Sequence, residues 1–268
     1  MNPEEPTVPA PPIKTKSGPT WRQAIRLVRA NKRATMLPLA VIQMPLGIIG
    51  APIYFYLYHN AFPDSDFESF NRFENSPSEL ILSLILMTAV YLLFSLVGAA
   101  ATIVAVKGII DGKPKRLAEA LDPAFTRMGG LLVLGAFFYF MFLATATGIV
   151  VVLYLIIRWG LAVHAHVLEE TTVSGSLGKS WRLLRGRMVR FTGVLLTAVP
   201  IALILFFAAS LLFAIALAPF SVDPGRTTNL VAQSLGILVF GIVAVPTGAY
   251  LATATTIFYL AAKEEPSD

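Results

Sequence analysis

Arg158 is the one charged residue lying well inside a hydrophobic run of this 268-residue chain. Eleven residues separate it from Glu169, about 16 Å of straight helix. That distance puts it near the middle of a bilayer, where a charge is costly and usually faces a bundle interior or a watery cavity. Its five N–H donors suit an anionic substrate. The competing reading is structural, a guanidinium bonded to carbonyls freed by Pro200 or Pro246 on a neighbouring span. His164, His166, Glu169 and Glu170 form the second candidate cluster. On a helix, His166 and Glu170 share a face at i, i+4, while His164 points elsewhere. A metal needs three or four convergent ligands, and nothing else in the chain completes such a set, so no metal or cofactor is expected. No span holds a carboxylate, and no Walker, G-x-S-x-G or H-E-x-x-H motif occurs. There is also no carboxylate-rich cytoplasmic motif of the kind that holds magnesium. With so few acids, bases and nucleophiles, the chain is not expected to be an enzyme.

The remaining chemistry is positive charge on amphipathic segments. Ahead of the first apolar run, Trp21, Ile25 and Val28 share one helical face, with Arg22, Arg26, Arg29 and Arg33 on another. Leu177, Trp181 and Leu184 repeat the triplet at an offset of 156, with Arg182 and Arg185 matching Arg26 and Arg29, and with Lys179, Arg187 and Arg190 nearby. Ala118, Leu121 and Phe125 make a weaker third version, interrupted by Pro123, which kinks or ends a helix. Thr20 is a candidate cap for the first of these helices, and Ser174 or Ser176 for the last. A helix with apolar residues at i, i+4, i+7 and an opposite basic face belongs in the headgroup plane. Tryptophans favour that depth. Either these are ordinary cytoplasmic loops, or they form a surface for anionic lipid or a partner protein.

The elements that carry these residues are hydrophobic. Apolar residues make up 56% of the chain and charged ones 14%, with a mean hydropathy of +0.70. Soluble domains typically carry about 25% charged residues. Absence of cysteine excludes disulfides and thiolate sites. Residues 1–19, with six prolines, read as a disordered cytoplasmic tail. The first apolar run is too long for a signal peptide and is expected to stay in the mature chain. Apolar runs cover roughly 35–58, 79–110, 129–168, 191–220 and 229–262. At about 20 residues per crossing, four are single spans. The 129–168 run is either one helix of about 60 Å or two crossings joined near Thr147-Gly148. Charge decides: with two crossings, every basic cluster falls on one side, as the positive-inside rule requires. Nucleic acid is not implied by the net charge of +5, because the basic residues are sorted by topology. The expectation is an all-α polytopic membrane protein. Its 20–268 region holds six transmembrane helices, arranged as three repeats of a basic amphipathic helix plus a helical hairpin, both termini cytoplasmic.

The segment Arg158–Leu195 resembles a bacterial six-helix inner-membrane family related to the membrane domain of glycerophosphoryl diester phosphodiesterases. Arg158, Glu169, Ser180, Trp181, Leu183, Arg185, Gly186 and Arg190 carry the likeness, and Ala252–Ala262 is similar as well. The resemblance implies the bacterial inner membrane, six helices and cytoplasmic amphipathic helices. The phosphodiesterase catalytic domain has no counterpart in these residues. Two functions are therefore expected: a non-enzymatic protein that organises inner-leaflet anionic lipids or partner membrane proteins through its basic helices, or a permease subunit with Arg158 binding an anionic or lipid-like substrate.

Overall fold

The computed structural model of the chain describes residues 20–45, 77–143, 154–155, 157–198, 200–201, 203–205, 207–208, 211 and 226–264. The proline-rich tail lies outside them. The described residues are helical, with no strand among them. In chain order the elements are α1 (Thr20–Ala30), α2 (residues 32–45), α3 (Pro77–Ile110), α4 (Leu117–Thr126) and α5 (Met128–Leu143). They continue with α6 (Ala162–Glu169), α7 (Val173–Leu183), α8 (Met188–Leu196) and α9 (Arg226–Glu264). Val243–Glu264 is long and apolar enough to cross a membrane, and Phe94–Ile110 is apolar but shorter.

Side-chain pairings give the helix directions. Gly130 meets His166, and Phe137 packs edge-on against Trp159 at 5.0 Å between centroids. Seven residues forward on α5 are thus seven residues back on the facing strand of chain, so the two run antiparallel. One continuous helix over 129–168 is excluded. Both pairings centre on residue 148; the turn expected at Thr147-Gly148 itself lies outside the described residues. Arg187 with Ala262, Phe191 with Phe258, and Thr197 with Tyr250 set α8 antiparallel to α9 in the same way. Leu39 of α2 rests on Gly98 of α3 and Gly248 of α9. By contrast, α6 and α9 run parallel: His164 meets Thr255 and Tyr259, and five residues later Glu169 meets Tyr259 and Lys263.

The second helix of each pair occupies the centre. Residues 100–106 of α3, the stretch Leu161–Val167 and residues 252–259 of α9 are buried on every face. Helices apolar all round belong inside a bundle rather than on its surface. The amphipathic helices pack around one end of this core. Each buries a small residue and the residue one turn on: Ala24 and Val28, Ala120 and Ala124, Ser180 and Leu184. In the middle unit this shifts the face read from sequence: Ala118 is exposed and Phe125 half exposed, while the alanines point inward. Pro123 sits inside α4 rather than stopping it. The chain bends by 71° between α4 and α5, four residues beyond the proline.

Candidate functional site

The polar groups converge where α6 ends. Glu169 accepts the Tyr259 hydroxyl at 2.6 Å and pairs with Lys179 of α7 and with Lys263 of α9 at 3.1 Å. One carboxylate therefore ties three helices together. Burial, then the neighbouring Lys263 and Arg182, hold the Lys179 ammonium below the usual lysine range even with a carboxylate opposite. Arg127, at the bend before α5, donates to the carbonyls of His166 (2.7 Å) and Val167 (3.1 Å). These are carbonyls of the last turn of α6, which have no partner within the helix. Arg127 also pairs with Glu170 at 2.5 Å.

His166 and Glu170 do not share a face. The helix ends at Glu169, and Glu170 takes a left-handed conformation (φ 59°), so the i, i+4 relation fails and its carboxylate swings to Arg127. His166 turns inward. Its Nδ1 lies 2.7 Å from the Thr171 carbonyl, which only accepts, so Nδ1 carries the proton. Its Nε2 edge presses on Gly130, where a Cβ would come within 2.2 Å. His164 points away, stacked on Tyr259 and 3.1 Å from the Thr255 hydroxyl. That hydroxyl already donates to Leu251 O, which makes His164 Nε2 the donor. No group of three or more His, Asp or Glu side chains converges among the described residues.

Arg158 sits differently from a charge at the middle of a straight helix. The helix containing it breaks at Gly160–Leu161. Its guanidinium lies 4.5 Å from the centroid of the Trp181 ring and 5.6 Å from that of Tyr154. Its Nε donates to the Tyr154 hydroxyl at 3.1 Å and its NH1 to the Trp181 carbonyl at 3.3 Å. That carbonyl belongs to the last turn of α7, so the acceptor comes from a helix end and not from a proline. Beside it, Ser180 fills the break: its hydroxyl donates to Arg158 O (2.9 Å) and accepts from Leu161 N–H (3.1 Å). At the start of α7 the cap is Thr172, which accepts from Gly175 N–H, not Ser174 or Ser176. Ser176 is buried and donates to Val173 O. Thr20 is the first residue of α1.

The basic surface divides in two. Arg22, Arg26, Arg29, Arg33, Arg182, Arg185 and Arg190 are exposed, and Trp21 and Trp181 are each 37% exposed at the same end of the molecule. The Arg22 guanidinium covers the Trp21 ring at 5.0 Å. Lys179 and Arg187 instead work internally, Lys179 on Glu169 and Arg187 by donating to Ala262 O at 2.9 Å. Sequence reasoning did not single out Arg127, Tyr259 or the hydroxyl of Ser180. Ser180, and Tyr259 within Ala252–Ala262, entered only as part of the family resemblance, with no role assigned to either. Comparison with protein-family models, with curated proteins and with solved structures finds no match.

Proposed function

We propose that the chain is a six-span inner-membrane protein with cytoplasmic termini, and that it acts without catalysis by gathering anionic lipids, and through them partner membrane proteins, around its basic end. The observation that supports this reading most is the shared placement of the amphipathic helices. They surround the end of the bundle where Glu169, Lys179 and Lys263 meet, and α1 and α7 turn arginines and tryptophans outward there. Such helices lie in the headgroup plane, and each basic residue at an anionic leaflet contributes about 1 kcal/mol. Reversing Arg26, Arg29, Arg182 and Arg185 to Glu together removes roughly 4 kcal/mol of attraction and adds repulsion. These four side chains are exposed, so the fold has little reason to fail.

The test is lipid composition around the full-length protein in nanodiscs of mixed phosphatidylglycerol and phosphatidylcholine. Enrichment of the anionic lipid is expected for the native chain and its loss for the quadruple variant; equal composition around both would refute the proposal. A reporter fused after Arg190 tests the topology beneath it, with cytoplasmic activity expected. Periplasmic activity alone would overturn the six-span arrangement. The transporter reading of Arg158 needs a guanidinium available to a substrate, whereas Trp181 and Tyr154 already engage it.

A further inference from the structure

α9 runs from Arg226 to Lys263 with no charge between them, about 55 Å of helix, and α3 from Glu79 to Lys107, about 42 Å. A hydrocarbon core is about 30 Å thick and a whole bilayer about 40–45 Å, so part of α9 must stand outside the hydrocarbon. Residues 252–259 can do so, because protein rather than lipid covers them on every face. Arg158 marks a height on this scale. His164 stands opposite Thr255 and Tyr259, so Arg158, six residues earlier, lies near Leu251, about 18 Å short of Lys263. α1 and α2 run antiparallel to both long helices: Leu27 clusters with Val106 and Ile109, Ala24 with Ala254 and Ala262, and Leu39 touches Gly98 and Gly248. The height of Leu251 is therefore that of Ala101 on α3. From those two residues to the far charges, Arg226 and Glu79, the helices measure about 38 and 33 Å, close to one hydrocarbon core. The surroundings of Arg158 suit such a boundary. Trp181 and Tyr154, 37% and 41% exposed, flank its guanidinium with their rings at 82° to each other, and rings with one polar edge favour the interface. Its Nε and NH1 are bonded to Tyr154 and Trp181; its NH2 makes no bond, and no carboxylate among the described residues pairs with it.

We propose that the hydrocarbon of the inner leaflet ends at Tyr154, Arg158 and Trp181, where the Arg158 NH2 meets a lipid phosphate, and that the helix ends from Leu161 to Glu169 and from Ala252 to Lys263 lie at headgroup level and beyond. This rests on the membrane reading above and adds to it a depth and a named lipid contact. An unpaired guanidinium held between two interfacial rings selects an anion at the edge of the hydrocarbon. A phosphate on NH2 leaves both existing bonds in place, whereas a substrate carried through the bundle would have to break them.

The chain has no cysteine, so one introduced thiol reads depth alone. Val189, 88% exposed, lies between Arg187, bonded to Ala262 O, and Phe191, packed on Phe258, about 13 Å to the water side of Arg158. Ile204, 68% exposed, follows Thr197, which meets Tyr250, and lies about 12 Å to the hydrocarbon side. In inside-out vesicles of phosphatidylglycerol and phosphatidylcholine, a membrane-impermeant maleimide should label V189C and should label I204C only after detergent is added. If both stay silent, the hydrocarbon reaches Lys263 and the proposal falls while the membrane reading stands; if both are labelled, the two fall together. Native mass spectrometry of the full-length protein tests the phosphate contact. R158Q should retain phosphatidylglycerol about fivefold less well, one basic contact of leaflet strength, and R158K should retain it nearly as the native chain does. Both variants lose the planar fork that spans Tyr154 and Trp181, so a merely structural arginine predicts the same retention in both, and that result would overturn the contact.

Discussion

Ser180→Ala should destabilise the protein by more than any other single hydroxyl deletion in α7. The helix carrying Arg158 breaks at Gly160–Leu161, where Gly160 N–H bonds Ile157 O at 3.2 Å and so takes the acceptor that Leu161 N–H would use in a continuous helix. Leu161 N–H then depends on Ser180 Oγ, and Arg158 O depends on the Ser180 hydroxyl proton. Ser180 and Leu161 are both fully buried, so water cannot replace the lost oxygen. A net hydrogen bond is worth about 1 kcal/mol, and a buried donor left unsatisfied costs about 1–3 kcal/mol. Losing one oxygen that serves two backbone groups should therefore cost about 2–4 kcal/mol. Ser176→Ala is the internal control. Its side chain is equally buried but donates only within its own helix, to Val173 O, so its loss should cost about 1 kcal/mol or less. Equilibrium unfolding in mixed micelles measures both, and amide exchange at Leu161 should quicken only in the Ser180 variant. If the two variants unfold alike, Ser180 does not hold the break, and the account of how Arg158 is positioned fails with it.

Gly130→Ala places a methyl 2.2 Å from His166 Nε2, and overpacking of this kind costs about 1–3 kcal/mol. A thermal shift should show that loss, and His166→Ala should make the second substitution nearly silent in a double-mutant cycle. Glu169→Gln leaves Lys179 and Lys263 facing a neutral amide. Bonds to charged groups are worth about 1.5–3 kcal/mol, so stability should fall by roughly that amount, with proteolysis near Lys263 accelerating before the rest of the chain opens.

The hairpin reading of residues 129–168 could be reached from sequence because it depends on charge sorting, which is a property of the whole chain. The pairings Gly130–His166 and Phe137–Trp159 now show the antiparallel run directly. The threefold amphipathic pattern was legible for α1 and α7, where arginines mark the outer face. It was misplaced in α4, because a helix whose buried positions are alanines has little apolar contrast. The break at Gly160–Leu161 was hidden for another reason. Its cause is a serine from another helix, and nothing local to residues 158–169 signals it. The Glu169 hub was hidden likewise, since Tyr259 lies 90 positions away. Thr172 rather than Ser174 caps α7 because the helix starts earlier than the apolar triplet suggests.

Arg127 and Arg187 have a double duty with an evolutionary edge. In the topology proposed above both belong to the positive charge of the cytoplasmic face, and both close carbonyls near the ends of the inner helices, at His166, Val167 and Ala262. A lineage that tried to invert this protein in its bilayer by trading basic residues from one side to the other would unfasten those ends as it did so. In that proposed topology, insertion direction and internal cohesion would depend on the same two side chains.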